Sequence, residues 1–149
     1  MNKNRYLIEL DEGGRTEFGR VGFEDQTEPW KTFSAIWELE SQVNNGGFDQ
    51  FFRNCETGVI LHAPVALETI GALMCSEIVK QAIAMIAPLP PTREARASAL
   101  DALAEDRQAL LTTRDEEFFA YPDDLTELLF DYVSKHPESF GPAPRCDPT

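Results

Sequence analysis

The sequence predicts a compact, mostly α-helical single domain of about six helices, with a small β-hairpin at its N-terminus. Three observations predict it. The chain has 149 residues, the length of one domain, and a domain of that size buries about 70% of its unfolded surface without staples. Apolar side chains recur at intervals of three and four over most of the chain. Prolines and glycines bound these stretches, and no repeat or inter-domain linker interrupts them. The expected organisation is an extension or hairpin over residues 1–26, a helical domain over 27–140 and a flexible tail over 141–149.

In the extension, Arg5 to Leu10 and Glu17 to Phe23 flank the turn-like Asp11-Glu12-Gly13-Gly14, which is a hairpin pattern. Helical periodicity starts near Thr27. Thr27 is a capping residue, Glu28 suits the positive helix end, and Pro29 is tolerated in a first turn. Trp30, Phe33, Ile36, Trp37, Leu39 and Val43 then cover most of the circumference, so this helix is expected at the centre of the core. Asn44-Asn45-Gly46-Gly47 should stop it, because Asn and Gly accept the left-handed backbone that ends a helix. A short aromatic segment follows, with Phe48, Phe51 and Phe52, ending at Asn54.

Pro64 fits the first turn of a third helix with Val65, Ala66, Leu67, Ile70 and Leu73, and Gly71 is a weak point or boundary within it. Ile78, Val79, Ala82, Ile83 and Ile86 make an amphipathic stripe ended by Pro88, Pro90 and Pro91. Thr92 should cap a long helix with Ala97, Leu100, Leu103, Ala104, Leu110 and Leu111 inward. Thr113 and Glu116 have capping-box spacing, which predicts a new short helix carrying Phe118 and Phe119 and broken by Pro122. Asp124 and Glu127 start the last helix, whose core face is Leu125, Leu128, Leu129, Tyr132 and Val133, and Pro137 stops it.

Charge sets the function classes. Lys plus Arg is 13 against 26 Asp plus Glu, a net of −13 with a pI near 4.4. Such a chain repels nucleic acid and anionic membrane, and it favours basic partners. No apolar run reaches the length of a membrane span, and Glu9 interrupts the apolar stretch that a signal peptide would need, so the expected location is the cytoplasm. Cys55, Cys75 and Cys146 are odd in number and widely spaced, which predicts inert thiols rather than disulfides or zinc. His62 and His136 each sit beside an expected helix end and are read as structural, so no metal and no cofactor is predicted.

The acids concentrate in one segment. Between Asp101 and Asp131 lie Asp101, Glu105, Asp106, Asp115, Glu116, Glu117, Asp123, Asp124, Glu127 and Asp131, against only Arg107 and Arg114. That is a net of −8 in 31 residues. Asp101 and Glu105 are four apart and should share a helix face, while Asp124, Glu127 and Asp131 form a stripe opposite the leucines. Like charges at these spacings cost a few tenths of a kcal/mol per pair. A solvated polar face explains such a pattern, and so does a docking surface for a basic protein. Duplex DNA carries one charge per ~1.7 Å, so −13 equals the charge of roughly six to seven base pairs, and two chains would match about one helical turn. One turn is also the usual half-site spacing of dimeric helix-turn-helix proteins.

The most specific motif is Glu38-Leu39-Glu40-Ser41-Gln42-Val43-Asn44-Asn45-Gly46-Gly47-Phe48-Asp49-Gln50-Phe51-Phe52-Arg53-Asn54. It resembles the signature of a bacterial family of small, mostly helical DNA-mimic proteins. The resemblance runs more loosely from about Trp30 to Phe140, through Thr69-Ile70-Gly71-Ala72, Asp115-Glu116-Glu117-Phe118-Phe119 and the final Leu-rich helix. Asn44, Asn45, Gly46, Gly47, Phe48, Gln50 and Phe51 match the motif. They read first as a helix stop, a tight turn and aromatic anchors, with a ligand pocket under the turn as the functional alternative. The resemblance implies a homodimer that binds a basic DNA-binding protein of the helix-turn-helix type and keeps it off DNA, and it implies no catalytic residues. Two other classes stay open on the residues alone. One is an inhibitor or immunity-type protein for a basic enzyme such as a nuclease. The other is a small enzyme holding Mg²⁺ or Ca²⁺ through Asp115, Glu116, Glu117, Asp123 and Asp124.

Overall fold

A computed structural model describes residues 2–12 and 21–146. Among the described residues the chain is all-helical, with eight α-helices and no strand. They are α1 (Lys3–Asp11), α2 (Glu28–Asn54), α3 (Thr57–Thr69), α4 (Leu73–Ala84), α5 (Arg93–Asp101), α6 (Glu105–Phe119), α7 (Leu125–Ser134) and α8 (Pro137–Phe140), with a 3-10 turn at Phe23–Asp25 before α2. The central helix α2 packs most extensively on α3, and also meets α5, α6 and α7, while α1 lies against α7.

The expected hairpin is corrected. Its first arm is α1, capped by the Asn2 side chain accepting from Arg5 N. Its turn and most of its second arm fall at residues 13–20, outside the described residues. The helical pattern was present: Tyr6, Leu7 and Leu10 lie at spacings of one, three and four, and all are buried. Tyr6 packs edge-on against Phe130 of α7, and Lys3 reaches Glu127 on the same helix.

The centre of the core is as the periodicity predicts. Phe33, Ile36, Leu39 and Val43 are fully buried, and Trp30 and Trp37 are partly buried against them. Trp30 Nε1 donates to Ser139 O at 2.7 Å, which ties the start of α2 to α8. Phe48, Phe51, Phe52 and Phe118 form a cluster of contacting rings at 6.0–6.4 Å and 5.7 Å, the geometry that aromatic pairs prefer.

Four further expectations are corrected. Helix α3 begins at Thr57, not at Pro64, so Pro64 and His62 lie inside it. Pro64 removes one helical bond, a loss of about 3 kcal/mol in an ordinary helix. It is offset here because Pro64 is buried and its carbonyl accepts from Ser76 Oγ at 3.1 Å. The expected long helix after Thr92 is two helices, α5 and α6, split at residues 102–104. No proline or glycine marks that break. It turns Leu103 toward the core, and Gln108 Nε2 bonds the Leu103 carbonyl at 3.0 Å. Leu110, expected inward, is 52% exposed as a consequence, while Leu100 and Leu111 are buried. Thr113 caps nothing: it is inside α6, and its hydroxyl donates to Ala109 O. Finally, Pro137 follows the end of α7 at Ser134, as expected of a helix stop, and the correction is that it also opens a further short helix, α8.

Gly71 does mark a boundary. Its φ is +86°, and the Ala72 and Gly71 amides donate back to Leu67 O and Glu68 O at 2.8 and 3.0 Å. This is the paired closure that satisfies the last carbonyls of a helix. Two of the three cysteines, Cys55 and Cys75, are buried, and burial pushes both thiols up to about 12.

One residue that periodicity did not single out locks the helices together. Arg96 of α5 is 1% exposed. Its guanidinium donates to Phe52 O (2.7 Å) and Cys55 O (2.6 Å) at the end of α2, to Thr57 Oγ1 (2.7 Å) at the start of α3, and to Pro90 O (3.1 Å). The carbonyls at a helix end have no partner within the helix and carry partial negative charge, so a cation suits them. A planar fork of donors reaches several at once, whereas an ammonium cannot. Arg96→Met should therefore lower stability by about 3 kcal/mol through stranded carbonyls, and Arg96→Lys should recover only a minor part. Urea unfolding of both variants measures this; an Arg96→Lys protein as stable as the parent contradicts the assignment.

Candidate protein-binding surface

The Asn-Asn-Gly-Gly motif is a kink within one long helix. Helical geometry fails only at Gly46 (φ −158°, ψ 21°) and Gly47 (φ +74°, ψ −177°), and α2 then resumes to Asn54. The positive φ at Gly47 is the region that favours glycine. Crowding adds to the requirement, since a Cβ at Gly47 would lie 2.5 Å from Asp115 Oδ2. Asp115 fills that space because its Oδ1 accepts from Phe48 N at 2.8 Å. The kink frees amides at the start of the second helical half, and the carboxylate caps one of them from another helix.

The polar motif residues bond one another across the kink. Asn45 Nδ2 donates to Gln50 Oε1, Gln50 Nε2 to Gln42 Oε1, and Asn54 Nδ2 to the same Gln42 oxygen. Asn44 Nδ2 donates to Tyr121 OH at 2.7 Å, and that hydroxyl donates to Glu40 Oε2 at 3.0 Å. The motif thus turns the chain, seats the phenylalanines and fixes α6 against α2. Beneath it lies a cleft of about 350 Å³ lined by Asp49, Arg53, Asp101, Leu103, Gln108 and Asp115 among others. Arg53 crosses this cleft and pairs with both Asp49 (2.6 Å) and Asp101 (2.8 Å).

The ten acids of the predicted surface divide into three groups. Glu105 and Asp106 in the first turn of α6, and Glu116 near its end, are exposed and make no ion pair among the described residues. Asp115, Asp123 and Asp124 hold backbone amides. Asp115 is described above, Asp123 Oδ2 accepts from Cys75 N at 2.8 Å in the first turn of α4, and Asp124 caps α7 through Glu127 N. The other four sit beside cations: Asp101 with Arg53, Glu117 with Arg114 (2.6 Å), Glu127 with Lys3 (2.6 Å) and Asp131 with Lys135 (2.9 Å). Asp101 and Glu105 do not share a helix face, because the break at residues 102–104 separates them. Glu127 and Asp131 do face outward on α7, opposite the buried Leu125, Leu129 and Val133. Asp115 and Asp123 point to different amides, and no group of three or more potential metal ligands comes together among the described residues.

A second acidic region was not anticipated. Asp11 at the end of α1, Glu38 of α2 and Glu56 before α3 line a cavity of about 250 Å³ together with Phe23 and Trp37. Burial pushes the Asp11 and Glu38 carboxyls above their ordinary range, while bonds from Trp37 and Cys55 respectively oppose the rise. These acids are far apart in sequence, so no local charge run reveals them. His62, inside α3, stands 3.6 Å from Glu28, and His136 Nδ1 lies 2.7 Å from Tyr132 O. His136 is thus bonded to the last turn of α7, whereas the buried His62 Nε2 has no hydrogen-bond partner among the described residues.

Burial also raises the Asp115 carboxyl above its ordinary 3.8, outweighing the bond from Phe48 N that lowers it. The folded state therefore takes up this proton more readily than the unfolded state does. The linked stability is fully present below the unfolded value and is lost as pH rises through the folded one. Asp115→Asn keeps an acceptor without the charge. It should leave stability at pH 7 equal or higher and flatten the loss between acid and neutral pH. Asp115→Ala should cost about 1–2 kcal/mol, and Gly47→Ala more, since it combines strain with a clash. Thermal unfolding across pH 4–8 checks the series; an Asn variant as unstable as the Ala variant contradicts the capping role.

No helix among the described residues is long and apolar enough to cross a membrane. No curated protein and no solved structure matches the chain. The model of the DMP19-like protein family matches residues 24–136, a span that starts at the 3-10 turn, contains the whole glycine kink and ends after α7. That family is not an enzyme family. The kinked aromatic motif, the helical fold and the acidic α6–α7 segment thus come together in one assignment: the chain belongs to the DMP19-like family of DNA-mimic proteins.

Proposed function

We propose that this chain is an acidic protein-binding module that occupies the DNA-binding surface of a basic, helix-turn-helix-type regulator and competes there with duplex DNA. The chain meets that partner as a homodimer. The observation that carries the reading is the set of carboxylates on α6 left without cations, Glu105, Asp106 and Glu116, within a segment of net charge −8. Glu105 and Glu116 are eleven residues apart, or about 16 Å of helix, comparable to the rise of about five base pairs. Asp123 and Asp124 add two further carboxylates to the same segment. The four cation-paired acids contribute less, since their neighbours cancel them locally.

The mechanism is substitution of anions. Lysines and arginines that hold phosphates bind carboxylates instead, with fast association that salt weakens. Immobilised chain at low salt should retain a DNA-binding protein, and duplex carrying that protein's site should release it. Combining Glu105→Gln, Asp106→Asn and Glu116→Gln should weaken retention about tenfold or more. Removing whole pairs, Glu127→Gln with Lys3→Gln and Asp131→Asn with Lys135→Gln, should change it much less, because net charge is kept. If the retained protein is indifferent to duplex DNA, competition is the wrong reading; if it is a nuclease whose activity falls on binding, the inhibitor reading replaces it.

A further inference from the structure

The acidic surface has a counterpart that carries almost no charge. From Thr57 to Ser76 the only Asp, Glu, Lys or Arg is Glu68, in a chain where 26% of residues are charged. Glu68 is bridged to Lys80, so this stretch presents almost no net charge. It forms α3, the Gly71 turn and the first turn of α4. Ser76 Oγ bonds Pro64 O at 3.1 Å and Glu68 Oε1 at 3.2 Å, which holds the two helices side by side. Apart from the Glu68–Lys80 ion pair, the outer face of this helix pair is apolar. Leu61 (55%), Val65 (50%), Leu73 (64%) and Met74 (56%) are four of the eight large apolar side chains exposed among the described residues, and they fall within fourteen positions. Leu61 and Val65 are four apart and so share one face of α3.

We propose that the α3–α4 face is the surface through which two copies of this chain join, with Leu61, Val65 and Leu73 in the contact. The inference rests on the homodimer of the reading above, and it names the face. The choice of occupant follows from charge. Two molecules of −13 repel at nearly every approach, and a stable contact removes about 800 Å² from each partner. An uncharged apolar face is where that area is buried with the least repulsion. A cationic partner would gain little from a face whose one anion, Glu68, already has Lys80 beside it, and it is better served by α6. In a closed two-fold pair the same patch serves both copies, which leaves α6 and α7 of each free for a partner.

Salt separates this contact from partner binding. Screening weakens the attraction between carboxylates and a basic protein, but it relieves the repulsion between two acidic copies. The dimer should therefore tighten as NaCl rises from about 50 to about 500 mM. Sedimentation equilibrium of the full chain should give twice 16.7 kDa at tens of micromolar. Val65→Glu and Leu73→Glu should each weaken the dimer by tenfold or more, with unchanged helical circular dichroism because both sites are already half exposed. Leu110→Glu, at an exposed leucine on α6, should leave it intact. A wild-type chain of 16.7 kDa at 100 μM overturns both the homodimer and this face. A dimer untouched by Val65→Glu and Leu73→Glu, or equally disrupted by Leu110→Glu, overturns the face alone.

Discussion

The hydrogen bond from Phe48 N to the Asp115 carboxylate joins the two features that define this chain. One is the glycine kink in α2, which gives the fold its aromatic centre. The other is α6, which carries the unpaired acids. Gly47 is left-handed and has no room for a side chain because that carboxylate lies against it. The kink in turn frees the amide that the carboxylate needs. Phe118, three residues along α6, enters the same ring cluster as Phe48, so packing and capping fix one helix pair in one register. Tyr121 adds a third tie through Asn44 and Glu40, holding a non-glycine residue at φ 48°. The orientation of Glu105, Asp106 and Glu116 is a consequence of this arrangement.

Net charge overstates what such a surface offers. Of the ten acids between residues 101 and 131, seven have acquired local work: four balance a cation, and three hold backbone amides that would otherwise lack partners. Asp115 illustrates the tension. It serves the fold as an acceptor, yet burial raises its carboxyl, so its charge works against stability at neutral pH. The fold keeps it because an amide at a helix start is costly to strand. The remaining three make no ion pair or capping bond among the described residues, and they are the ones available to another molecule.

Much of this was legible in the sequence where the information is local. Phe33, Ile36, Leu39 and Val43 announce a buried helix by their spacing, Asn44 to Gly47 announce its break, and Asp124 with Glu127 announce the start of α7. What escaped depends on distant neighbours. The α5–α6 break has no proline or glycine and exists because Leu103 turns inward. Pro64 reads as a helix start, and only its burial and the Ser76 bond explain its place inside α3. Arg96 looks like any surface arginine in its helix, since its acceptors come from residues 52–57 and 90. Asp115 looked like one of a run of surface acids, because its partner is 67 positions away. The motif was recognisable, but its purpose as a cradle for a carboxylate was not.

The central claim is that carboxylates of α6 stand where phosphates would stand on a DNA-binding protein. The most direct measurement is the structure of the chain bound to its retained partner, superposed on the same partner bound to duplex. The account predicts Glu105, Asp106 and Glu116 in contact with the lysines and arginines that hold phosphates in the DNA complex. A complex in which those cations remain open, with the partner seated elsewhere, contradicts it.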